Sequence, residues 1–235
     1  RTTMARIPMT EAECRCAMDA LSDQIDLYAN LLVRKGAAIR PGQELVLQAP
    51  VEAAEFARRV VRAAYRAEAG HVTVIWHDDV VTRLTYENCP VEFFEHTPSW
   101  QVEQLNSLAE DGASFLFLEG SDPAALKGVD PAKPACAARA RNTECTYFGR
   151  NVWCIAGVPV AAWARQVFPD CSVHEAMYRL WSSILDVSRA AGDDPESAWE
   201  THNASFEKTK RFLNGHHFDA LRYESSNGTD LVVTA

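Results

Sequence analysis

No stretch of the sequence approaches the roughly 20 apolar residues that a membrane helix needs. Its polar start, Arg1-Thr2-Thr3-Met4-Ala5-Arg6, leads into no apolar signal-peptide core. A soluble chain with no membrane partner is therefore expected. Basic residues are scarce relative to acidic ones, 23 Lys plus Arg against 32 Asp plus Glu, for a net charge of −9. The densest basic groups are Arg34-Lys35 and Lys208-Thr209-Lys210-Arg211, both at predicted helix ends. A phosphate backbone would meet no basic surface, which argues against nucleic acid as a partner. Neither G-x-G-x-x-G nor G-x-x-x-x-G-K-[ST] follows a predicted strand, and the turn after the first strand, Gln48-Ala49-Pro50-Val51, has no glycine. That excludes the usual phosphate cradles. There is also no C-x-x-C, no H-E-x-x-H and no G-x-S-x-G.

What remains is an ordinary globular composition. It is 47% hydrophobic and 23% charged, with 11 Gly and 11 Pro, which excludes disordered, collagen-like and disulfide-framework classes. A chain of 235 residues is long enough to bury a core without staples. The seven cysteines are an odd, scattered set: Cys14, Cys16, Cys89, Cys136, Cys145, Cys154 and Cys171. They fit a reducing cytoplasm, where they act as small hydrophobes.

The hydrophobic periods alternate between helix and strand. Thr10 with Glu13 reads as a capping box opening one long helix to about Lys35, with Cys14, Met18, Leu21, Ile25, Tyr28 and Leu32 on one face and Gly36 as its stop. Glu44–Gln48, His71–Trp76, Ala113–Leu118 and Asn151–Ala156 read as strands. Between them lie helices from Pro50 to about Gly70, from Pro98 to Asp111 with Trp100, Leu105 and Leu108 inward, and from Lys133 to Tyr147. Near Ala161–Gln166 a short helix follows. Ser172 with Glu175 reads as a second capping box, starting a helix with Ala176, Leu180, Ile184 and Val187 on one face. A further helix runs from Pro195 through Phe212. Last come strands Phe218–Glu224 and Thr229–Ala235 around the turn Ser225-Ser226-Asn227-Gly228.

The predicted fold class is α/β. A mostly parallel sheet carries helices on both faces, followed by a helical stretch and a C-terminal β-hairpin that begins a truncated second domain. The boundary is expected around Asn214-Gly215, giving 1–214 and 215–235. An apolar final strand, Leu231-Val232-Val233, suggests a cut chain, because an open edge invites aggregation.

Candidate chemistry is thin. His77, Asp78 and Asp79 follow the second strand where α/β proteins place sites, although a solvated polar loop is the commoner meaning. His216 and His217 adjoin, and neighbours on a strand would face opposite ways. His174 falls in a capped first turn and should be exposed. Cys154, mid-strand between apolar residues, reads as inert. Glu44 starts the first strand and Glu119 ends the third, so they cannot pair as acid and base. Trp76, Trp100, Trp153, Trp163, Trp181 and Trp199 read as packing residues, with Trp153 and Trp163 largely buried. No catalytic, cofactor-binding or metal-ligating residue is assigned.

A series of motifs in order resembles the thermophilic metalloprotease family of aminopeptidases. It begins with Tyr28-Ala29-Asn30-Leu31-Leu32-Val33 and Gly36, then Ile39-Arg40-Pro41-Gly42-Gln43, Ala49-Pro50 and His71–Asp78. It continues through Asn151-Val152-Trp153, Val158-Pro159-Val160-Ala161-Ala162-Trp163-Ala164, Val167-Phe168-Pro169-Asp170 and Gly228-Thr229-Asp230-Leu231. The resemblance implies a cytoplasmic, dimeric exopeptidase acting on peptides. It also implies an α/β amino-terminal domain and a carboxy-terminal domain holding two metal ions, zinc, cobalt or magnesium. The family's metal-binding residues lie beyond the Gly-Thr-Asp-Leu segment, so none is carried onto this chain. Asn151, Trp153, Pro159, Trp163 and Asp230 match family motifs and are expected to form the fold. Two readings compete with that of an amino-terminal fragment. One is a complete α/β module capturing a small anionic ligand near His77 to Arg83; the other is an inactive relative serving as an interaction partner.

Overall fold

The computed structural model describes residues 8–234, so the polar start Arg1–Arg6 and the last strand residue Ala235 lie outside the described residues. Thr10 does cap α1 (Glu11–Ala20): its hydroxyl accepts the Glu13 amide at 3.2 Å. The Glu13 carboxylate accepts the Thr10 amide at 2.7 Å, which completes the reciprocal box. The single long helix expected from Thr10 to Lys35 is corrected, because it breaks at Leu21. There the amide bonds back to Met18 at 3.0 Å, one residue short of the helical partner. The chain restarts as α2 (Ser22–Leu31) and ends in a wide π turn over Leu32–Gly36. The break lets α1 pack on one neighbour and α2 on another. The left-handed residue just beyond this turn is Ala38, with φ of 47°, and not Gly36, whose place is close packing: a Cβ there would lie 2.8 Å from Cys154 Sγ and force that side chain to shift.

The order continues with β1 (Glu44–Pro50), α3 (Ala54–Arg66), β2 (His71–His77), α4 (Asp79–Asn88) and α5 (Ser99–Glu110). Then come β3 (Ser114–Glu119), α6 (Ala132–Glu144), α7 (Tyr147–Arg150), β4 (Trp153–Gly157), α8 (Ala161–Val167) and α9 (Val173–Val187). All four strands are parallel, in the order β2-β1-β3-β4, with Leu47 beside Val74 and Phe115 beside Trp153. The alternation of strand side chains supplies two buried faces. Val46, Phe115 and Phe117 meet Leu105 and Ala109 of α5 together with Cys145 and Tyr147. Tyr147 is fully buried and stacks on Phe115 at 4.5 Å. The flanking Leu45, Leu47, Leu116 and Leu118 are also fully buried and face the other way, beneath the layer that contains α3. This is the doubly wound arrangement the alternation predicts.

Several local expectations are corrected. Trp100 points outward at 63% exposure, and Val187 at 70%, while Leu105, Ala176, Leu180 and Ile184 are buried as expected. The helix expected from Lys133 to Tyr147 stops at Glu144, where Cys145 turns extended before α7. Glu144 is held from outside its helix. Its carboxylate accepts the Thr97 amide at 2.7 Å and its carbonyl accepts the Asn106 side chain at 2.9 Å. The capping box at α9 is only half made. Ser172 accepts the Glu175 amide at 3.2 Å, but the Glu175 carboxylate turns inward to Arg179 at 2.6 Å and to the Met9 amide at 3.1 Å.

The chain divides into two compact units, Arg1–Pro195 and Glu196–Ala235. The second holds most of α10 (Pro195–His216) and an antiparallel hairpin of β5 (Ala220–Glu224) and β6 (Asp230–Thr234). Arg222 forks onto Asp230 with two bonds of 2.9 Å, and Gly228 takes the left-handed conformation its turn demands.

Tyr28 ties α2 to the sheet. Its hydroxyl donates to the Gly157 carbonyl at 3.2 Å, its ring stacks on Phe56 at 5.5 Å, and Phe56 meets Trp181 edge-on at 5.2 Å. Burial pushes its ionisation up to about 12. The unfolded chain sheds this proton near pH ~10, the folded chain two units later. Stability from Tyr28 is thus complete below pH ~10 and is lost as pH rises through about 12. Tyr28→Phe should lower stability at pH 7 by about 1 kcal/mol, for the lost bond. It should also flatten the decline between pH 10 and 12 in urea titrations. An unchanged decline would show that other groups carry it.

Candidate functional site

In a doubly wound sheet the natural crevice lies at the strand C-termini where successive connections leave to opposite faces. Here that point is between β1 and β3, which are neighbours. Segments following all four strands meet there around a cavity of about 390 Å³. Glu52 comes from the turn after β1, Asp79 and Arg83 from α4, Asp122 from the segment after β3, and Val160 with Ala161 from the start of α8.

His77, Asp78 and Asp79 do reach this edge, but not as a solvated loop. Asp78 caps α4, its Oδ1 accepting the Val81 amide at 2.8 Å, and Asp79 Oδ2 accepts the Asp122 amide at 2.7 Å. Both carboxylates therefore shape backbone. α4 was missed because it buries none of its residues, so its sequence carries no core-facing stripe. The Asp78 cap was the legible signal. Arg83 is spent too. Its Nη1 donates to the Ala125 and Lys127 carbonyls at 2.7 and 3.1 Å, and its Nε to Glu87 at 2.7 Å. Three carboxylates against one engaged guanidinium make the crevice acidic. That disfavours the small anionic ligand considered for His77 to Arg83.

The remaining candidates are scattered. His174 is exposed. His216 closes α10, donating from Nδ1 to the Phe212 carbonyl at 2.7 Å, and His217 follows with φ of 45°. The pair thus sits on a helix end, not on the strand assumed for it. Cys154 is half-buried and burial pushes its thiol up, which suits an inert group. Glu44 accepts Thr73 Oγ1 at 2.6 Å at the N-terminal end of β1, the opposite edge from Glu119. Trp153 and Trp76 are each 44% exposed and Trp163 is half-buried, so the burial expected for Trp153 is corrected. Trp181 is the tryptophan found in the core. Among the described residues no group of three or more His, Cys, Asp and Glu could hold a metal ion.

The family model for thermophilic metalloproteases (M29) matches residues 21–235. The chain belongs to this family. It is 36% identical to aminopeptidase AmpS of Bacillus subtilis, over 92% of this chain and 54% of that protein. It is likewise 36% identical to aminopeptidase T of Thermus thermophilus, over the same shares. The solved structure of wild-type AmpT from Thermus thermophilus superposes with a TM-score of 0.78 at 34% identity, over 91% of this chain and 54% of that one. The chain thus spans about half the length of the curated relatives it matches.

Within the M29 frame, Asn151 acts as a clamp: its amide donates to the Ala109 and Ala113 carbonyls, both at 2.9 Å, and joins α5 to the approach of β4. Asp230 holds the hairpin through Arg222, Pro159 lines a cavity, and Trp163 lies where a Cβ on Gly157 would reach it at 3.6 Å. The metal that the M29 name implies finds no fitting donor set among the described residues: Asp78 and Asp79 accept backbone amides, and the imidazole–carboxylate neighbours His71 with Glu44 and His96 with Glu144 belong to no group of three.

Proposed function

We propose that this chain is the amino-terminal α/β domain, residues 1–214, of a cytoplasmic two-metal aminopeptidase that removes amino-terminal residues from peptides. Residues 215–235 would begin the carboxy-terminal domain. On this reading the chain shapes the substrate cleft and supports a homodimer, while the zinc, cobalt or magnesium ions are held by the remainder of the protein. Two metals there would activate a bridging water and polarise the scissile carbonyl.

One observation carries the reading: the M29 model matches residues 21–235, and the chain aligns over about 54% of the length of relatives that are aminopeptidases. The free thiols, Cys14 buried and Cys16 exposed among them, support a reducing compartment. The test compares this chain with a longer one restoring the length of the relatives, on leucyl-p-nitroanilide with and without cobalt. The longer protein should show cobalt-dependent, chelator-sensitive turnover and this chain none. Chelator-sensitive turnover by the 235-residue chain would refute the division of labour.

A further inference from the structure

We propose that a groove in the first compact unit docks peptides through a large apolar side chain lying next to a lysine or arginine. The inference rests on the reading that the whole protein handles peptides, and it assigns one determinant of which peptides. The groove is a cavity of about 280 Å³ between α1, α2, α3, α9 and the turn after β4. Its floor is apolar, made by Ile25, Phe56, Pro159 and Trp181. Phe56 and Trp181 are buried and locked edge to face, so the floor is preformed. Met18 and Met177 flank it, and unbranched thioethers adapt to side chains of different shape. The volume falls just under the ~300 Å³ lower bound of small-molecule pockets, which suits one anchoring side chain better than a whole ligand.

The rim supplies the charge. Asp19, Glu52 and Glu55 line the cavity with Arg59. Arg59 is already matched, at 3.0 Å from Asp26 and 3.4 Å from Glu55, and it donates to the Ser22 carbonyl at 3.0 Å. Asp19 and Glu52 are exposed, and no described residue pairs with them. Glu52 also lines the acidic crevice above β1 and β3, and Pro159 of the groove adjoins Val160 and Ala161 of the crevice. The negative field therefore continues from one hollow into the next. An anionic ligand meets repulsion along the whole path, in a chain of net charge −9. A cationic side chain beside an apolar anchor satisfies both the floor and the rim.

The experiment measures fluorescence anisotropy of labelled Ala-Leu-Lys-Ala, Ala-Leu-Glu-Ala and Ala-Ala-Lys-Ala with the 235-residue chain, at low and high salt. The Leu-Lys peptide should bind about tenfold more tightly than either other peptide, and salt should weaken it. The double variant Asp19→Lys, Glu52→Lys changes two exposed side chains, and circular dichroism checks its fold. It should reverse the preference between the lysine and glutamate peptides. Absence of binding, equal binding of all three peptides, or a lysine preference that survives the charge reversal would overturn the proposal. Turnover of leucyl-p-nitroanilide by the longer protein involves no such peptide. Its absence would therefore sink the aminopeptidase reading alone, while the binding assay decides the groove separately.

Discussion

Replacing Arg179 by methionine should destabilise the first unit by about 3 kcal/mol, the lower end of the range for stranding a buried charge. Glu175 is 1% exposed, the carboxylate most deeply buried among the described residues. Its Oε1 accepts from Arg179 at 2.6 Å and its Oε2 from the Met9 amide at 3.1 Å. Without the guanidinium, the carboxylate keeps one amide donor and no counter-charge. The lower end applies because the Arg179 side chain is 23% exposed, so water already screens part of the attraction. The loss corresponds to a fall in melting temperature of roughly 10 °C for a unit of this size. Adding Glu175→Gln to Arg179→Met should restore most of it, since a neutral amide can still accept from Met9 and carries no charge to desolvate. Urea unfolding of parent, single and double variants reads this directly. A double variant no more stable than the single would show that packing of the arginine, which also lies 5.8 Å over the Phe168 ring, outweighs its charge.

The ion pair also illustrates what a sequence can and cannot carry. The Ser172 and Glu175 spacing announced a helix start correctly, because capping depends on neighbours along the chain. Where the glutamate side chain goes depends on α9 meeting the segment before α1, more than 160 residues away, and no local pattern encodes that. The four strands were legible for the first reason: each is a short apolar run between turn signals, and parallel pairing follows from the helices between them. α4 carried no apolar stripe because none of its residues is buried, although Tyr86 leans on the buried Phe94 ring at 4.8 Å, and the Asp78 cap was its one local signal. The break at Leu21 was hidden by an apolar period that runs unbroken across two helices with different neighbours. Family membership was readable from motifs such as Asn151-Val152-Trp153, whereas the two carbonyls that the Asn151 side chain bonds were not. The acidic crevice was not readable. Glu52, Asp79 and Asp122 follow three different strands, and only the sheet order brings them together.

The tryptophans separate the two kinds of information most clearly. Trp181→Ala should cost about 3–5 kcal/mol and Trp153→Ala about 1–2, although both sit in apolar sequence contexts. Trp181 is 6% exposed on α9, with Phe56 against its ring, so truncation opens a cavity between elements that cannot collapse independently. Trp153 points to the same side of the sheet as its partner Phe115, but β4 is an edge strand, with a neighbour on one side only. At 44% exposure Trp153 leaves nearly half its surface in water, and its removal forfeits correspondingly less transfer energy and no enclosed volume. A period-2 pattern says which face a side chain takes; whether that face is covered depends on the strand's place in the sheet order. Urea midpoints for the two variants, with unchanged slopes, provide the comparison. A Trp153→Ala loss equal to that of Trp181→Ala would mean that Trp153 is covered in solution more fully than its 44% exposure implies.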